Sequence, residues 1–166
     1  MNILQTKRLF LRKFTPDDAP LHFALNSDPM VLQYTGDVAF LSEKDARSFL
    51  EQYDHYQLHG FGRWNCFRKK DGAFLGWCGL KFNEVQEIDL GYRFFRKEWN
   101  KGYATEAAKA CLDYGFNSLK IKQIIGRVHP ENLASIRVLE KVGMSYWKLD
   151  TCGDEDGFLY YRITRD

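Results

Sequence analysis

The chain has 166 residues, enough for one domain with a continuous core and too few for two ordinary ones. Hydrophobic residues make up 45% and charged residues 28%, a globular balance that excludes a disordered or fibrous chain. Lys+Arg 24 against Asp+Glu 22 leaves a formal net charge of +2, so no basic excess points to nucleic acid, and no run approaches the roughly 20 apolar residues of a membrane span.

The opening Met1-Asn2-Ile3-Leu4-Gln5-Thr6-Lys7-Arg8 lacks the apolar core of a signal peptide, and a cytoplasmic location is expected. Arg8 to Phe14 alternates apolar and charged residues and reads as an opening strand. Thr15-Pro16-Asp17-Asp18 supplies a capping hydroxyl, a first-turn proline and two carboxylates at the positive end of a helix dipole, so a helix follows to about Asn26. Asp28-Pro29 ends it, and Met30 to Phe40 reads as a short helix and loop. Ser42-Glu43-Lys44-Asp45 opens a second helix running to about Leu58 and closing at Gly60. His55 and His59 are expected on its surface, with no carboxylate or cysteine to complete a metal site.

From Gly62 the pattern changes to strands: Arg63 to Arg68, then a Lys70-Asp71-Gly72 hairpin turn, Ala73 to Phe82, and about Glu87 to Phe95. A long helix from Tyr103 to about Ser118 carries Ala104, Ala107, Ala108, Cys111, Leu112 and Gly115 on one face. Gln123 to His129 is a further strand, Asn132 opens a shorter helix that Gly143 terminates, and Ser145 to Leu149 and Phe158 to Ile163 close the chain as a strand pair. This order predicts a single α/β domain over residues 1–166, with a mixed sheet covered by helices. Cys66, Cys78, Cys111 and Cys152 are too widely spaced for a zinc pattern and are expected to be reduced core residues.

Trp99-Asn100-Lys101-Gly102-Tyr103-Ala104-Thr105-Glu106-Ala107 lies between a strand and the long helix. A helix start offers backbone N–H groups without internal partners, and the helix dipole adds to their attraction for phosphate oxygens. Gly102 lets the backbone approach an anion and Ala104 keeps the first turn slim. One glycine before a helix is also an ordinary turn. The spacing lacks G-x-x-x-x-G-K-[ST] and G-x-G-x-x-G, which disfavours ATP and NAD.

The run resembles the loop that binds the coenzyme A pyrophosphate in the GNAT superfamily of N-acetyltransferases, [Q/R]-x-x-G-x-[G/A], with Gly102 and Ala104 in its last two positions. It matches the fuller W-G-K-G-Y-A-T-E-A of the branch containing the RimJ and RimL enzymes at eight of nine positions. Trp99 stands where the wider superfamily has Gln or Arg, and Asn100 replaces a glycine, tolerable because Asn adopts left-handed dihedrals better than most residues. Leu4 to Arg12, Leu75 to Leu80, Asp89 to Tyr92 and Asn132 to Met144 resemble further segments of that branch in the same order, covering nearly the whole chain.

The resemblance implies a GNAT fold, a mixed and mostly antiparallel sheet with helices on both faces and a splayed cofactor cleft, and acetyl-CoA as cosubstrate. It implies a cofactor site of Asn100, Lys101, Gly102, Tyr103, Ala104 and Thr105 at the pyrophosphate, and main-chain atoms of Tyr92 and Phe94 along the pantetheine arm. Asn132 is a helix N-cap in any case and, by the resemblance, also touches that arm. Ser135 is either a solvent-facing small residue or, as in the branch, proton donor to the departing thiolate; Leu139 fills the position where much of the superfamily has a Tyr for this role. Asp89 and Glu87 are plain surface carboxylates or candidate bases. Asp89 is preferred, because a bulge at Gly91 would re-aim it toward the thioester and burial would raise its pKa. His129 reads as structural or as a proton relay, and Asp154-Glu155-Asp156-Gly157 as a solvated hairpin tip or a surface greeting a cationic amine.

The expected reaction is direct acetyl transfer to an amine, a protein N-terminus or a small molecule, with no metal and no covalent enzyme intermediate. The expected protein is a monomer or homodimer with no nucleic-acid or membrane partner. The rival reading is a non-catalytic acyl-CoA sensor or scaffold with the same fold, which turnover would separate from an enzyme.

Overall fold

The computed structural model of the protein describes residues 2–166. Eight strands form one sheet: β1 (Asn2–Gln5), β2 (Leu9–Lys13), β3 (Arg63–Arg68), β4 (Phe74–Phe82), β5 (Ile88–Phe94), β6 (Gln123–Val128), β7 (Ser145–Cys152) and β8 (Glu155–Thr164), in spatial order β1-β2-β3-β4-β5-β6-β8-β7. Every neighbouring pair is antiparallel except β5–β6, which is parallel. The helices are α1 (Ala19–Leu25), α2 (Pro29–Leu32), α3 (Glu43–Glu51), α4 (His55–His59), α5 (Tyr103–Asn117) and α6 (Leu133–Lys141).

Alternation along β3 sends its side chains to two faces. Trp64 and Cys66 enter the main core, where Trp64 meets Tyr114 of α5 edge-on at 5.3 Å. Asn65 points the other way and bonds to His22 of α1 at 2.8 Å. Helices therefore cover both faces, as expected. The α5 helix lies close to the sheet because Gly115 has no side chain: a Cβ there would sit 2.8 Å from Leu80 Cδ1.

The sheet divides between β5 and β6. Their ladder holds a single register pair, Asp89 with Ile125, while β5 follows β4 without a break from Ile88 to Phe94 and β6 follows β8. Beyond Asp89 the two strands part, and the edge of β5 facing β6 has no ladder partner. Gly91 is not the bulge expected from the sequence. It is glycine because a Cβ there would fall 2.6 Å from the Arg63 guanidinium carbon. The opening comes from β6 leaving with β8, not from an inserted residue.

Two further expectations are corrected. The helix expected from Ser42 to Leu58 is two helices, broken where Tyr53 turns inward and accepts the Arg63 backbone N–H at 2.8 Å. His55, expected at the surface, is buried: its Nδ1 donates to the Phe61 carbonyl at 2.5 Å and its Nε2 accepts the Phe82 N–H at 3.1 Å. The strand β1, hydrogen-bonded to β2, precedes the alternating segment that begins at Arg8.

Candidate active site

Where β5 and β6 part, a cavity of about 650 Å³ runs to the start of α5. Asn100 takes a left-handed backbone at φ 62° and Gly102 does so at φ 81°. Together they turn the chain so that the first turn of the 15-residue α5 opens on the cavity with no side chain capping it. Uncapped N–H groups at the positive end of a helix dipole attract an anion. Asn100, Gly102, Tyr103, Ala104 and Thr105 line the cavity. Lys101 does not: its Nζ is drawn 3.2 Å from the buried Glu98 carboxylate, and its carbonyl accepts from Arg8 at 2.9 Å. Glu106 turns away to Arg8, with Nε to Oε1 at 2.8 Å.

Opposite α5, the α6 helix brings Arg137 and Lys141 to the same cavity. The sequence reading missed this pair, although their spacing of four from one another places them on one helix face.

The middle of the opening belongs to Asn132, Ser135 and Tyr92. Asn132 caps α6 by accepting the Ser135 N–H at 3.2 Å. The Tyr92 hydroxyl lies 2.7 Å from Ser135 Oγ and donates toward the Ser135 carbonyl at 3.1 Å. Burial pushes the Tyr92 phenol well above its ordinary value, against the pull of the Ser135 bond. Tyr92 was expected to matter through its main chain alone; its side chain is engaged as well. Phe94, two residues on, is buried in the core and also lines the cavity. Leu139 is packed into the core, 2.9 Å from where a Cβ on Gly126 would lie.

A second pocket of about 190 Å³ adjoins the first and shares Tyr34, Thr35, Tyr92, Asn132 and Ser135 with it. Its floor is Asp89, only 7% exposed. Arg127 donates to Asp89 Oδ2 through Nη2 at 3.0 Å and Nε at 3.3 Å, and the Arg63 guanidinium stands 3.7 Å from the same oxygen. Among the described residues no hydrogen bond reaches Oδ1. Burial lifts the Asp89 carboxyl above its ordinary value, outweighing the two guanidinium groups that pull it down. The structure separates Asp89 from Glu87, which is held in the preceding turn by Asn83 and lines neither cavity.

Tyr34 and His129 stack at 4.9 Å on the wall of this pocket, with Trp77 and Phe158 nearby. His129 Nδ1 accepts the Glu131 N–H at 3.1 Å, so one ring nitrogen is committed to its own loop. Cys66, Cys78 and Cys111 are free and buried as expected, but Cys152 is half-buried and lines the second pocket. Asp154, Glu155 and Asp156 are exposed and line neither cavity. Among the described residues no cluster of three or more His, Cys, Asp or Glu is placed to hold a metal ion, and no helix is long and apolar enough to cross a membrane.

Residues 8–145 match the family model described as the acetyltransferase (GNAT) domain. The Bacillus subtilis protein YkkB is 39% identical over 153 residues, covering 87% of this chain and 86% of its own. The N-acetyltransferase p20 of Bacillus licheniformis is 34% identical over 145 residues, covering 86% and 82%. The crystal structure of a GNAT-family acetyltransferase from Bacillus anthracis superimposes with a TM-score of 0.80 at 31% identity, covering 97% of each chain.

Proposed function

Since the chain belongs to the GNAT family of acetyl-CoA-dependent N-acetyltransferases, we propose that acetyl-CoA lies along the β5–β6 opening and meets its amine at the junction of the two cavities. The observation that carries this reading is the single register pair between β5 and β6. It leaves the facing edge of β5 free for the cofactor's amides, with an uncapped helix start at one end and Ser135 and Asp89 at the other. The pyrophosphate rests on the backbone N–H groups from Gly102 to Thr105, and Arg137 and Lys141 add charge for the remaining phosphate oxygens. Asn100 shapes the loop, and Lys101 contributes through its main chain only.

The amine enters from the pocket floored by Asp89. It attacks the thioester carbonyl, polarised by a free N–H of β5; the N–C bond forms, the C–S bond breaks, and the electron pair stays on sulfur. Asp89 Oδ1 takes the proton the amine loses, directly or through water. The neighbouring guanidinium groups of Arg63 and Arg127 disfavour a bound ammonium ion and so favour the neutral amine that can react. Ser135 donates to the departing sulfur, and the thiol's final proton comes from solvent.

The nonapeptide from Trp99 to Ala107 supports a place in the RimJ/RimL-like branch, with a protein N-terminal amine as acceptor and a small primary amine as the competing class. A panel tests this: purified protein and acetyl-CoA are mixed with short peptides with free N-termini, spermidine and small aromatic amines, and thiol release is followed. Faster release with peptides and an acetylated peptide product support the N-terminal reading. Release with small amines alone removes it.

A further inference from the structure

Ser135 can help a departing thiolate only if its single proton is aimed at sulfur. In the structure the Ser135 hydroxyl has a competing partner, the Tyr92 hydroxyl at 2.7 Å, and that hydroxyl is also within reach of the Ser135 carbonyl at 3.1 Å. Two oxygens, two protons and one carbonyl permit two arrangements. In the first, Tyr92 donates to the carbonyl and Ser135 donates to Tyr92, which leaves nothing for sulfur. In the second, Tyr92 donates to Ser135 Oγ and Ser135 donates outward into the cavity that both residues line.

Building on the reading that Ser135 donates to the leaving sulfur, we infer that Tyr92 is its positioning residue: rotation of the Tyr92 hydroxyl from the Ser135 carbonyl to Ser135 Oγ turns the serine proton toward the thiolate as the C–S bond breaks. No proton changes owner in this step. The phenol, lifted by burial, keeps its proton across the working range and acts only as a donor. The serine also keeps its proton and stabilises the charge by a hydrogen bond. The amine's proton leaves through Asp89, and the sulfur is protonated later by water. Charge on sulfur polarises the serine hydroxyl, which strengthens the bond it accepts from Tyr92, so the pair is worth most in the transition state.

The fold supports this geometry from two sides. Tyr92 is held by the unbroken β4–β5 ladder, opposite Cys78, and Ser135 by the Asn132 cap of α6. The bond joins the two elements that line the opening, and without the phenol oxygen the serine hydroxyl is free to turn back to a carbonyl of its own helix.

The test is a double-mutant cycle of Tyr92→Phe and Ser135→Ala, read as thiol release from acetyl-CoA with hydroxylamine, a small amine already largely neutral near pH 7, so that deprotonation of an ammonium ion before attack does not mask the later step. The uncatalysed reaction is subtracted. Tyr92→Phe is expected to lower kcat about tenfold with acetyl-CoA affinity by calorimetry and melting temperature nearly unchanged, and to cost nothing further when Ser135 is already Ala. An equal loss in both backgrounds marks a merely structural tyrosine and overturns the inference. So does a wild-type rate for Tyr92→Phe while Ser135→Ala is slow, which leaves the serine's role standing. If Ser135→Ala itself turns over at the wild-type rate, the serine reading falls and this one with it.

Discussion

Asp89 and Tyr92 sit three residues apart on β5 and so face opposite sides of the sheet, one toward the guanidinium groups of Arg63 and Arg127 and one toward Ser135. Division of labour by strand alternation makes separable predictions. Asp89→Asn is expected to depress kcat/KM by roughly 10²-fold in the window above the Asp89 pKa where an unassisted amine is still almost wholly protonated, with the deficit shrinking as pH rises further and free amine accumulates. The raised Asp89 pKa fixes the sign: the wild-type rate falls as pH drops through that value, because a protonated carboxyl accepts nothing. Glu87→Gln is expected to leave the profile unchanged. A wild-type profile in the Asn variant would make Asp89 a purely structural partner of Arg63 and Arg127. The sequence exposed Asp89 through its motif, but not its guanidinium partners. Arg63 reaches it from two strands away, past Gly79 and Gly91, and only the assembled sheet brings those positions together.

The segment from Trp99 to Ala107 was the most legible part of the chain, because its proposed role rests on backbone geometry and the residues that permit that geometry are few. Asn100 and Gly102 both adopt the left-handed conformation their identities suggested. Gly102→Val adds a Cβ 3.3 Å from Arg8 Nη2 and strains φ by about 1–2 kcal/mol in a loop outside the core. Acetyl-CoA affinity measured by calorimetry is expected to fall at least tenfold, with a modest drop in melting temperature; unchanged affinity would remove the pyrophosphate from this loop. Less legible were elements set by tertiary contact. The break between α3 and α4 carries no glycine or proline; it exists because Tyr53 and His55 find partners on β3 and β4. Arg137 and Lys141 lie four apart on α6, and only the placement of α5 opposite them makes the pair part of the cavity.

Across the whole molecule, the sheet that opens at β5–β6 is held shut elsewhere by a core containing two buried histidines. His22, between Asn65 and the ring of Phe14, and His55 are both held below the usual histidine pKa by burial, so both fold neutral. The unfolded chain binds protons at these sites as pH falls below about 6.5, and the folded protein does so only lower. Stability is therefore present above that value and lost as pH drops toward about 5.5, by at most roughly 1.4 kcal/mol per pH unit for each histidine, partly offset by Asp89, whose raised pKa has the opposite sign. Denaturant midpoints between pH 7.5 and 5.5 are expected to fall, and His22→Gln to flatten the slope; a flat wild-type curve would mean that neither histidine is held neutral by the fold.

The proposed seat of the cofactor is the parting of β5 and β6, with its phosphates on α5 and its sulfur beside Ser135. A crystal structure of the protein with coenzyme A decides whether it sits there. Pyrophosphate oxygens are expected about 3 Å from the backbone nitrogens between Gly102 and Thr105, and the sulfur within reach of Ser135 Oγ. Coenzyme A bound outside this opening, or lying in it with its sulfur turned away from Ser135, would contradict this placement.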